Sequence, residues 1–182
     1  MKNADAPGGE ARSGRRLEST MTQSIDRHPP LGIYNYAASY HVAADLICDS
    51  DRGLQATHPE APPTFLYYHA IELYLKSFLR FHGVSATRLQ RIGHDYKRLL
   101  SRASNHGLVL GELENEVLNT LDGEIWSRSR YLEIGTLRAP SLHALCETSK
   151  SLRQKVAKVL REAGLPVRMP SHKKARRALI ED

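Results

Sequence analysis

Cysteine is scarce in this chain: Cys48 and Cys146 are the only two in 182 residues, each inside a stretch that reads as helix and far from the other. That spacing excludes a disulfide framework and a zinc knuckle. With no signal sequence ahead of them, the pair is expected as buried thiols of a cytoplasmic protein. Long apolar runs are also missing, since no window approaches the eighteen or so residues a membrane span needs, so no membrane partner is expected. Sustained period-two alternation between hairpin turns is absent, which removes the signal for strands. There is no glycine-rich phosphate loop, metal-spaced His and Asp cluster or nucleophile elbow, so the usual nucleotide hydrolases lack support, and neither metal nor cofactor is expected.

What is present points to one helical core. An apolar content of 41% over this length suffices for a single domain. The formal charge of +6 is unevenly spread: residues 1–30 contribute +1 and residues 165–182 contribute +3, leaving a body of only +2. The first thirty residues, rich in Gly and Ser and poor in large apolar side chains, are expected to be a flexible segment. Residues 31–164 form the expected bundle, and residues 165–182 a basic tail. A tail of this kind is weak support for a nucleic-acid partner, because phosphate binding needs cations gathered on a face.

Five helices are predicted, in an all-α, up-and-down bundle of four to five antiparallel helices joined by short connections. The first runs from about Ile33 to Asp49, with Ile33, Tyr36, Ala37, Tyr40, Ala43, Ala44 and Ile47 on its inner face. The second starts at Pro62-Pro63 and ends before Gly83. Its apolar residues cover most of the circumference, so it belongs in the middle of the bundle. A loop from His82 to Gly93 leads to a third helix, His94 to Asn105, with Tyr96, Leu99, Leu100 and Ala103 inward. The fourth, Leu110 to Ile125, uses Leu113, Val117, Leu118 and Leu121. The fifth follows Pro140-Ser141 and carries Leu142, Leu145, Cys146, Ser149, Leu152, Val156, Val159 and Leu160 on one stripe before Gly164.

Three groups of polar residues are candidates for chemistry. His69, Glu72, Lys76 and Arg80 recur along one side of the second helix and make a polar seam between apolar faces. Its plainest reading is an i,i+4 Glu72–Lys76 pair whose stems cover apolar neighbours; its functional reading is the border of a groove or dimer contact. In Gly93-His94-Asp95 the glycine permits a sharp turn, Asp95 is suited to capping the next helix, and His94 is a candidate general acid or base because an imidazole's ordinary pKa is near 6.5. The third group is Arg128, Arg130, Tyr131 and Glu133. An arginine beside a tyrosine pairs well with carboxylates, so Arg130 is the expected partner of Glu72 or Asp95.

The run YYHAIELYLKSFLRFHG from Tyr67 to Gly83, GHDYKRLL from Gly93 to Leu100, and Arg130-Tyr131 ahead of the last helix together resemble the HEPN superfamily, over about Ile33 to Ala163. The resemblance implies a four- or five-helix bundle, frequent homodimers, and roles in RNA cleavage, RNA or nucleotide binding, or toxin-antitoxin pairing. Its implied partners are a cognate nucleotidyltransferase or an antitoxin protein. Ribonuclease members of that superfamily carry an Arg, a short spacer beginning with a polar residue, and a His across a dimer groove. Arg88 and His94 meet the spacing, as do Arg138 and His143, but Leu89 and Ala139 stand where the polar residue belongs. The leading expectation is therefore an RNA- or nucleotide-associated module, with a metal-independent endoribonuclease using His94 and Arg88, and a purely structural protein-protein module, as alternatives.

Overall fold

Proline and short polar side chains decide where the helices begin. In the computed structural model, which describes residues 28–50, 57–121 and 139–168, α1 spans Pro30–Cys48 and α2 spans Ala61–Phe81. Both carry proline in the first turn, where an amide has no intrahelical acceptor to lose. Ser85 caps α3 (Ala86–Ile92) by accepting from the Arg88 amide at 3.2 Å. Asp95 caps α4 (Tyr96–Asn105), and Ser141 caps α6 (Leu142–Glu162). Between them α5 (Glu112–Thr120) starts at Gly111, whose amide donates to the Glu114 carboxylate at 2.5 Å. A Cβ at Gly111 would lie 2.6 Å from that carboxylate, so a larger residue there would push the flexible end of Glu114 aside from its present position.

The result is an all-helical bundle with α2 at its centre, packed against α1, α4 and α6. Tyr40 meets His69 while Tyr34 meets Tyr74, so α1 and α2 run antiparallel. Five tyrosines fill the core: Tyr34, Tyr67, Tyr68, Tyr74 and Tyr96 are each at most 2% exposed. The Tyr67 hydroxyl donates to Asp45 at 2.7 Å and that of Tyr96 to the Tyr68 carbonyl at 3.0 Å. Burial raises the pKa of all five, that of Tyr68 to about 12.

Several expectations need correction. Six helices, not four to five, occur among the described residues, because the segment expected as a loop from His82 to Gly93 contains α3. This helix is seven residues long and depends on its Ser85 cap and on burying Leu89 and Ile92, too little periodicity to stand out. The buried face of α1 is Tyr34, Ala37, Ala38, His41, Val42 and Ala44, whereas Tyr36 is 57% exposed. Both registers are apolar, and contact with α6 as well as α2 selects the one containing His41. On α5 the expected core residue Leu113 is exposed, and Glu114 is buried between Ser151 and Lys155 of α6. Burial pulls the Glu114 carboxyl up, but Lys155, Ser151 and the Gly111 amide outweigh it and hold it below the usual carboxylate range. The thiols are less enclosed than expected, Cys48 exposed and Cys146 half-buried. Both terminal segments, to residue 27 and from residue 169, fall outside the described residues, as do Arg128, Arg130, Tyr131, Glu133 and Arg138.

Candidate functional site

The polar seam of α2 is drawn into one cluster at the turn between α3 and α4. Gly93 adopts φ of +62°, a left-handed conformation that L side chains rarely take, and the turn it makes delivers His94 to α2. There His94 Nδ1 lies 2.7 Å from Glu72 Oε2, while Lys76 Nζ pairs with the other carboxylate oxygen. Glu72 is 1% exposed, so its charge is compensated at both oxygens by groups that donate hydrogen bonds, as a buried carboxylate requires. The partner from outside its own helix is thus a histidine among the described residues, where an Arg or Lys was expected.

His69 sits beside this cluster, half-buried, with Tyr40 edge-on at 4.4 Å and Phe65 stacked at 6.4 Å. Burial lowers its pKa, Glu72 opposes that shift, and Lys76 and His94 add to it. Among the described residues its Nδ1 is buried without a hydrogen-bond partner. Arg80, the fourth member of the seam, serves local structure: it donates to the Val84 carbonyl at 2.9 Å and to the His28 carbonyl at 3.2 Å, tying the end of α2 to the start of α1.

On the other side of the same turn, α3 and α4 diverge around an open groove of about 1030 Å³. Arg88, Arg91, Lys97, Arg98 and Arg102 line it against one carboxylate, that of Asp95. Asp95 acts there twice, accepting from the Arg98 amide at 2.9 Å as the helix cap and holding Arg98 Nε at 3.1 Å. The structure therefore separates the two residues matched by spacing: Arg88 lines the groove, whereas His94 is turned onto Glu72. Arg91, Lys97, Arg98 and Arg102 were not singled out from the sequence. Their signal was available in Tyr96 to Asn105, where Lys97, Arg98 and Arg102 alternate with the buried Tyr96, Leu99, Leu100 and Ala103.

A second concavity, about 580 Å³, opens between the end of α1 and the first turns of α6 and includes His143, Cys48 and Cys146. His41, 3% exposed, forms part of it, with Nδ1 2.8 Å from Ser149 Oγ and Nε2 3.4 Å from Asp45 Oδ2. Burial lowers its pKa to about 4 against the pull of Asp45, which keeps the ring neutral. A neutral ring fits both contacts when Ser149 donates to Nδ1 and Nε2–H points to Asp45. No group of three or more His, Cys, Asp or Glu placed to hold a metal occurs among the described residues, nor does a helix long and apolar enough to cross a membrane.

Fold and site together define a small helical bundle whose chemistry is concentrated around the Gly93 turn. The chain matches no family model, no curated protein and no solved structure.

Proposed function

We propose that the chain is a HEPN-like helical module that binds RNA through its phosphate backbone, in a defence or toxin-antitoxin setting. The observation that carries this reading is the α3–α4 groove, where five cationic side chains face a single carboxylate. The body of the chain is nearly neutral, so such a concentration on one concave face is the arrangement that counterion release rewards. Binding of labelled RNA at two salt concentrations tests it. Affinity should fall as salt rises, and Arg91→Ala or Arg98→Ala should each weaken binding uniformly across sequences and reduce the salt slope by about 0.7 to 1. Binding that ignores salt and both substitutions removes the reading and leaves a protein-protein module, with a nucleotidyltransferase or antitoxin protein as the partner to seek.

One observation favours a second reading, metal-independent RNA cleavage. The Glu72 contact orients the His94 ring through Nδ1 at the Gly93 turn, and Asp95, next in the chain, lines the cationic groove. In this reading His94 takes the 2′-hydroxyl proton, and Arg88 or a neighbour in the groove stabilises charge on the phosphate. Cleavage should persist in chelator, spare DNA, leave a cyclic phosphate and vanish in His94→Ala. Equal cleavage by both proteins excludes the site.

A homodimer belongs to the same proposal. The surplus apolar surface expected on α2 is consumed within the chain, so a dimer would draw on the exposed Val109 and Leu113 instead. Sedimentation equilibrium giving a mass near 20.4 kDa would exclude it.

A further inference from the structure

The two cysteines, set apart in the chain by residues 49–145, meet in the concavity between α1 and α6. Contacts along this interface give its direction. Arg153 of α6 interacts with Tyr34 of α1, Ser149 with His41, and Cys146 lies in the concavity that also holds Cys48, so the two helices run antiparallel. In a helix each side chain leans toward the N-terminus of its own helix. Across an antiparallel pair the Cys48 side chain therefore leans back along α1 while that of Cys146 leans toward the start of α6, and the two thiols converge. Tyr67 of α2 stands beside them: its hydroxyl donates to Asp45 at 2.7 Å and is within hydrogen-bonding reach of both sulfurs. Cys48 is the last residue of α1 and exposed, whereas Cys146 is half-buried.

We infer that Cys48 and Cys146 are a reversible dithiol–disulfide pair, a modification site for small disulfide oxidants such as oxidised glutathione, whose closure ties the end of α1 to α6. The inference is independent of RNA binding, since neither thiol lines the α3–α4 groove. Exposure decides the order of events. The Cys48 thiolate attacks one sulfur of oxidised glutathione, breaking its S–S bond and releasing one glutathione thiolate; the Cys146 thiolate then attacks the Cys48 sulfur of the mixed disulfide and expels the second. Two electrons pass from the cysteines to the oxidant, and the two thiol protons end on the released glutathiones. A bridge needs the two Cα atoms within about 7 Å of each other, and Cys48 at the last position of α1 is where the backbone can adjust with least loss of helix. Burial holds the Cys48 thiol above its ordinary range against the Tyr67 contact, so the reaction should quicken into mild alkali. Because the bridge spans so long a stretch of chain, it restricts the unfolded state strongly and should stabilise the fold.

The experiment equilibrates the full, folded chain in mixtures of reduced and oxidised glutathione, quenches with acid and reads intact mass and proteolytic peptides. The expected product is one species lighter than the reduced chain by two hydrogens, free of glutathione, that yields a joined Cys48–Cys146 peptide. Its urea midpoint should lie above that of the reduced chain and fall back in dithiothreitol. The rate of oxidation should climb about tenfold per pH unit and keep climbing past about pH 8.5, where an ordinary thiol levels off. Cys146→Ser should stop at a glutathione adduct on Cys48, and Cys48→Ser should react more slowly than the parent. Two glutathione adducts without a bridge, a bridge that forms only after urea has unfolded the chain, or a bridged protein with a lowered urea midpoint each overturns the pair. A disulfide between two chains, seen as a dimer that dithiothreitol dissolves, overturns it as well and assigns Cys48 to a contact between copies.

Discussion

Glu72 is the residue on which the candidate site turns. Sequence placed it on an apolar helix and demanded a compensating charge; the structure gives it Lys76 from one turn on and His94 from across the bundle. Glu72→Ala leaves two cationic or donor groups facing an apolar wall, so it should cost about 3 to 5 kcal/mol in urea unfolding, against a few tenths for an exposed helix pair. His94→Ala should cost less by itself, because His94 is partly solvated while Glu72 keeps Lys76. The two substitutions together should be markedly non-additive, which a double-mutant cycle measures. A Glu72→Ala cost below about 1 kcal/mol would show the pair to be a wet surface contact.

At the scale of the element, α4 joins stability to binding through its cap. Asp95 satisfies the Arg98 amide and also neutralises the Arg98 side chain inside the groove. Asparagine caps a helix about as well as aspartate, so Asp95→Asn should leave the unfolding midpoint almost unchanged while removing the groove's one carboxylate. RNA should then bind more tightly and with a steeper salt dependence. Asp95→Ala, by contrast, should lose about 1 kcal/mol of stability. Tighter binding confined to Ala, or absent from both, would separate Asp95 from the groove. Helices of this kind were legible in the sequence: Tyr96, Leu99, Leu100 and Ala103 gave α4 its inner face, and Ser141 with Gly164 bracketed α6. Helix α3 was not, because its hold on the bundle is two buried side chains and a serine cap. The groove escaped notice for the same reason, since a concavity between two helices has no signature while one of them is read as a loop.

Across the whole molecule, buried titratable groups set the pH range in which the fold is stable. His41 and His69 are both held below the ordinary imidazole value of 6.5 by burial, so the unfolded chain takes up protons on them before the folded one does. Their contribution is therefore fully present above about pH 6.5 and is lost as pH falls toward 4, for His41 on the order of 3 kcal/mol. Urea unfolding across that window should show the decline, and His41→Gln should flatten it while lowering stability at neutral pH. A flat parent profile would mean that His41 is protonated in the native state. Neither histidine could have been ranked this way from sequence, where His41 lies among alanines and either face of α1 is apolar. The five core tyrosines act at the opposite end of the scale: each phenol, raised by burial, favours the folded state until the unfolded value near 10 is passed, and that contribution is then lost as pH rises toward the folded values. In alkali, then, the interior ionises only by opening. The phenolate absorbance of these five should be withheld past the point where free tyrosine has turned over and then appear in a single step with the loss of helix, so that the protein carries its own colourimetric record of cooperative unfolding, with no added dye.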